Sequence, residues 1–198
     1  MASKSESSTA LPFESNWFAP SKSKLAGAAL PPLEGAPIRI SYRAPLLTRG
    51  GVIVARDGQA MHAASFIRRR SMVLDGELRS DPNEWRRIFV HELFHFAWVR
   101  LGNPARDGWR ELLTAECRGH ARGELGWSAE WRKKILTERD IAAGSPRWRD
   151  YACESFSDTA AWLYAGLDAH DEFTLSRRWR EPRRRWFIQQ FGDRAVPL

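Results

Sequence analysis

Between Ile88 and Val99 the chain reads IFVHELFHFAWV: nine of twelve residues are apolar, and the exceptions are His91, Glu92 and His95. Wound as an α-helix at about 100° per residue, the apolar side chains cover nearly the whole circumference. Phe89, Leu93 and Phe96 fall on one side, with Val90, Phe94 and Ala97 opposite. A helix apolar all round is a buried helix. Two imidazoles and a carboxylate in its middle therefore need partners, because burying them alone costs several kcal/mol.

Their spacing names the partner. His91 and His95 are about 40° apart around the helix and about 6 Å apart along it, so both rings converge on one point. Glu92 projects to the side of His95, where it addresses a water at that point without being a ligand. This is the His-Glu-x-x-His arrangement: two neutral imidazoles for one Zn²⁺ per chain, with the Glu as general base. With 5 His and 14 Glu in 198 positions, about 0.01 such matches are expected by accident.

A catalytic zinc takes three protein ligands and keeps an open position. Trp98 and Leu101 occupy the places where a Gly and a third His would continue the motif along the chain, so the third ligand comes from elsewhere. Downstream of His95 only Glu154 is followed four residues later by Asp, in Glu154-Ser155-Phe156-Ser157-Asp158. One helical turn apart, Glu154 can ligate the metal while Asp158 accepts a hydrogen bond from a ligand His and fixes its tautomer. Glu116, 21 residues after His95, is a rival with His120 at its +4 position; His120, Cys117, Cys153 and His170 complete the alternatives. His170, Tyr164 and Tyr151 are candidates to stabilise an oxyanion.

On His91, Glu92, His95, Glu154 and Asp158 the chain resembles the gluzincin class of zinc metallopeptidases, over roughly residues 60–166. The resemblance implies a zincin-like fold, with the active-site helix beneath a small sheet and the Glu-bearing helix alongside. It also implies a peptide or protein substrate lying extended against an edge strand, here within Ala64–Leu74. The 59-residue gap from His95 to Glu154 exceeds that of the compact thermolysin-like members.

The remaining sequence frames this site. Residues 1–37, with seven Ser and five Pro, read as a Ser/Pro-rich flexible arm that Phe13, Trp17 and Phe18 can pin in part. Residues 38–198 read as a single α+β domain, a small and mostly antiparallel sheet followed by helices. Ile38–Tyr42 and Gly51–Ala55 read as strands, and Ala64–Leu74 as one long strand or two short ones. Asp81-Pro82-Asn83-Glu84 signals a helix start and Gly102 its stop. Further helices are expected over Trp109–Ala121, after Ser128, from Ser145-Pro146 to Gly166, and over Pro182–Gln190.

No apolar run approaches the roughly 18 residues of a membrane span. The N-terminus lacks the apolar stretch of a signal peptide. Two cysteines make no disulfide scaffold, and the expectation is a cytoplasmic protein with no membrane partner. Net charge is +7, of which Arg177–Arg185 (RRWREPRRR) contributes +5. No zinc finger, RRM signature or basic heptad accompanies that segment, so nucleic acid is not the favoured partner. The alternative to an enzyme is a zinc-retaining binding or regulatory protein that uses this segment, with Trp179 and Trp186, to hold an acidic partner.

Overall fold

A computed structural model describes residues 15–22 and 25–198 of the chain. The fold is mixed α and β, with six α-helices and three small sheets among the described residues. Eight strands precede the helices: β1 (Ser15–Phe18), β2 (Leu33–Glu34), β3 (Ile38–Arg43), β4 (Leu47–Arg49), β5 (Val52–Val54), β6 (Gln59–Ala60), β7 (Ala63–Phe66) and β8 (Ser71–Asp75). Then come α1 (Pro82–Arg100), α2 (Asn103–Arg118), α3 (Trp127–Lys134), α4 (Glu138–Ala143), α5 (Pro146–Tyr164) and α6 (Arg177–Phe191), and a last strand, β9 (Val196–Pro197).

The main sheet runs β1-β3-β8-β7. Its outer pairs are antiparallel, but β3 and β8 at the centre are parallel, Ile40 opposite Met72. The expected antiparallel character therefore holds for the outer pairs and fails in the middle. The reason is the long excursion between β3 and β8, which carries the β5-β4-β6 sheet and β7. The Ala64–Leu74 segment resolves into two strands because Arg70 takes a left-handed conformation (φ 45°) between them. β7, with neighbours on one side only, is an edge strand.

Period-2 alternation in β3 and β8 sends Ile38, Ile40, Met72 and Leu74 into one core with Phe89, Val90, Leu93 and Phe96 of α1. α1 starts as expected: the Asp81 carboxylate accepts from the Asn83 and Glu84 N–H groups, and Pro82 occupies the first turn. It packs along α5, and Phe156 of α5 stacks among Phe94, Trp98 and Phe187. No helix among the described residues is long and apolar enough to cross a membrane.

Several boundaries differ from the sequence reading. Gly102 precedes α2 rather than merely closing α1, because Pro104 starts a new helix at once. α6 begins at Arg177 and carries Pro182 inside it, since a run of exposed arginines has no apolar period to mark the first turn. Within the expected arm, β1 pairs with β3 and Leu33 pairs with Val196, while residues 1–14 lie outside the described residues. Buried Phe18 meets Phe89 edge-on at 5.3 Å, whereas Trp17 is exposed. Phe13 lies outside the described residues.

The Arg177–Arg185 segment is not uniformly a surface. Arg183 is fully buried, Trp186 belongs to the core, and Arg180 donates to the Leu175 and Phe173 carbonyls. Only Arg177, Arg178, Arg184 and Arg185 among its arginines stay exposed. A charge run along one helix must turn some of its members inward, and carboxylates elsewhere meet the one that is buried.

Candidate metal centre

His91 and His95 project from consecutive turns of α1 toward α5. Their Nε2 atoms lie 3.1 Å apart, with the rings nearly perpendicular. From α5, Glu154 Oε2 lies 3.3 Å from His91 Nε2 and 3.8 Å from His95 Nε2. A tetrahedral ion with bonds of about 2.0–2.1 Å separates its ligand atoms by about 3.4 Å. The three observed separations bracket that edge length, so these residues fit one face of a zinc tetrahedron. Ligand atoms of His91, Glu92 and His95 also lie within 4.8 Å of one another.

Neighbouring groups orient each donor. Asp158 Oδ1 accepts a hydrogen bond from His91 Nδ1 at 2.7 Å, so Nε2 is the ring atom that faces Glu154 and His95. His95 Nδ1 lies 3.4 Å from both Ser157 Oγ and Cys153 Sγ. Glu154 Oε1 is held by Arg132 Nη2 at 3.0 Å, which turns Oε2 toward the imidazoles. The other Asp158 oxygen accepts the Ala129 N–H at 3.0 Å, so this carboxylate ties α1 to the first turn of α3, which has no capping side chain of its own.

The electrostatics favour positive charge here. Burial disfavours a charged His91, but the Asp158 charge and hydrogen bond, aided by Glu154, lift its pKa well above the usual value. Burial likewise opposes ionisation of Glu154, and the hydrogen bond from His91 with the charges of His95, His91 and Arg132 outweighs it, bringing its pKa to about 2. Cys153 goes the other way: burial first, then Glu154, pushes its thiol far up, so it stays protonated beside the cluster.

Beside His91 a cleft of about 390 Å³ opens between the segment Gln59–His62 and the start of α3, lined by His91, Glu92, Arg87, Trp127, Ser128 and Glu172 among others. Half-buried Glu92 stands on its wall, and its backbone carbonyl accepts from Ser65 Oγ of edge strand β7 at 3.4 Å. Arg87, almost fully buried, bridges Glu84 and Glu172, and Glu172 accepts the Trp127 N–H at 2.7 Å.

The structure thus brings together His91, His95, Glu154, Glu92 and Asp158, and leaves the other candidates elsewhere. Tyr164 stacks on Phe94 at 5.5 Å in the core, and burial raises its hydroxyl pKa to about 12. His170 pairs with Glu84 at 3.1 Å and is not among the cleft residues. Tyr151 is fully buried and donates to Glu124. None of the three lines the cleft: Tyr164 and Tyr151 are taken up by the core and Glu124, and His170 by Glu84.

Glu116 is engaged by Arg183 through two contacts of 2.9 and 2.7 Å, and His120 is exposed beyond α2. Cys117, half-buried on α2, has its thiol pushed up by burial. Arg132 and the tie from Asp158 to α3 were not foreseen. Neither has a local signature, since each joins residues more than twenty positions apart. Comparison with protein-family models, curated proteins and solved structures finds no match to this chain.

Proposed function

We propose that the protein is a zinc-dependent peptidase of the gluzincin type, with a zincin-like domain in which His91, His95 and Glu154 hold the metal. The observation that carries this reading is the triangle of donor atoms at 3.1, 3.3 and 3.8 Å, flanked by Glu92 and fixed by Asp158. A closed structural site would need a fourth protein ligand; Glu92, offset toward the cleft, fits a base better than a ligand. When bound, zinc supplies Lewis acidity, polarising a carbonyl and lowering the pKa of a water toward about 7.

The chain's own residues do the rest. The Glu92 carboxylate receives the proton of the attacking water and passes it to the nitrogen of the departing amine. Asp158 keeps His91 in the tautomer whose Nε2 is a donor atom, and Arg132, bound to Glu154 Oε1, keeps Oε2 aimed at the imidazoles. Edge strand β7 offers unpaired backbone groups beside Glu92, which suits an extended peptide. Two free cysteines fit a reducing, cytoplasmic setting.

Metal content and peptide-library hydrolysis, measured on wild type and Glu92→Gln, test the assignment. The variant is expected to keep about one zinc per chain and lose at least about 10²-fold in rate. Hydrolysis undiminished in the variant, or no hydrolysis by the zinc-loaded wild type, contradicts it.

A further inference from the structure

Residues 38–74 contain seven Arg, no Lys, no Glu and one Asp, a local charge of +6. In the helical half, Arg87, Arg110, Arg132, Lys133, Lys134 and Arg183 each face a carboxylate, and the arginines without an ion pair share that half with most of the chain's Glu and Asp. In the β half, Arg39, Arg43, Arg49, Arg56, Arg68 and Arg69 form no ion pair among the described residues. Uncompensated charge of one sign costs self-repulsion, which a bound polyanion relieves.

Three of these arginines surround one cavity. Because alternate residues of β3 and β8 face α1, Arg39, Ser41, Ser71 and Val73 lie on the opposite face of the sheet. There a cavity of about 770 Å³ opens, twice the size of the cleft beside His91. Arg39, Arg68 and Arg69 line it with Phe66, Ile67 and Val73, and Val52 and Ile53 of the β4–β5 hairpin frame it; no carboxylate is among its lining residues.

The composition of the lining selects the ligand. Guanidinium forks match phosphate oxygens two at a time, and the segment uses arginine without a single lysine. A cavity this large, with an aromatic ring and aliphatic side chains in its lining, exceeds the needs of a lone phosphate and has room for a flat base. Arg43 on β3, Arg49 on β4 and Arg56 after β5 also form no ion pair and belong to or adjoin elements that border the cavity, which suits a polymer. We propose that this sheet face binds single-stranded nucleic acid, with phosphodiesters on Arg39, Arg68 and Arg69 and a base over Phe66. The site lies across the sheet from α1 and does not depend on the peptidase reading.

The test is fluorescence anisotropy of a labelled oligothymidine of about 20 nucleotides against the full chain, from about 50 to about 300 mM NaCl. At least three phosphate contacts predict a slope of log affinity on log salt of about −2 or steeper, at about −0.7 per contact. Replacing Arg39, Arg68 and Arg69 together by Gln is expected to weaken binding more than tenfold and flatten the slope. Replacing exposed Arg177, Arg178 and Arg185 by Gln removes the same charge and is expected to leave both nearly unchanged. Phe66→Ala is expected to weaken oligothymidine binding while sparing the slope. No saturable binding at about 50 mM salt, equal losses from the two triple variants, or polyglutamate competing as well as oligothymidine overturns the proposal.

Discussion

His91 and Asp158 meet at 2.7 Å across the seam between α1 and α5, and the same carboxylate reaches on to the Ala129 N–H at 3.0 Å. One side chain thus sets the tautomer of an imidazole and seats a neighbouring helix. The donor triangle is rigid because packing holds it from three elements: His91 and His95 on α1, Glu154 on α5, and Arg132 on α3.

Asp158→Asn keeps the shape but removes the anionic acceptor. Zinc affinity, read by competition with a chromophoric chelator, is expected to fall about 10- to 100-fold. An unchanged affinity would show that His91 needs no fixed tautomer.

Gly126 stands close against Asp158: a Cβ added there would lie 2.2 Å from the carboxylate carbon. Its extended backbone (φ −179°) suits any residue, so Gly126→Ala acts through that collision alone. Displacing Asp158 is expected to weaken zinc binding by about tenfold and destabilise the fold by about 1–3 kcal/mol. Chelator competition and urea unfolding measure the two effects.

Glu154 and Glu116 separate cleanly. Glu154→Gln is expected to lower zinc affinity at least about 10²-fold with little loss of stability, since a charged ligand is lost from a half-open site. Glu116→Gln is expected to leave the metal untouched and destabilise by about 3 kcal/mol, because Arg183 is buried and loses a bidentate partner. The reverse pattern would reassign the third ligand.

Acid stability follows from Glu124. Burial opposes its ionisation, but the Arg183 and Lys133 charges, with hydrogen bonds from Arg183 and Tyr151, bring its pKa to about 2. The unfolded value lies near 4.3. The unfolded chain therefore binds the proton first, and the stabilisation, about 3 kcal/mol, is full above about pH 5 and drains away as pH falls toward 2. Urea unfolding across that range is expected to show a steep acid limb that is shallower in Glu124→Gln.

What was legible in the sequence was local. The start of α1 could be read from Asp81 and Pro82 because an N-cap bonds to residues two and three positions on. The pairing of Glu154 with Asp158 could be read because one helical turn puts both on one face. The parallel β3–β8 pair, the burial of Arg183 and the grip of Arg132 on Glu154 could not. Arg183 looks like its neighbours in a run of arginines, and its partners Glu116 and Glu124 lie 67 and 59 residues away. The uncompensated charge of residues 38–74 escaped notice for a related reason: its arginines are scattered along the chain, and folding gathers them onto one half of the molecule.

Zinc K-edge X-ray absorption on the metal-loaded chain reads the donor set directly. One zinc per chain is predicted, with nitrogen and oxygen donors at about 2.0–2.1 Å, the scattering of two imidazoles, and no sulfur. Failure of the purified chain to retain a stoichiometric ion, or a sulfur donor at about 2.3 Å from Cys153, would contradict a centre built from His91, His95 and Glu154.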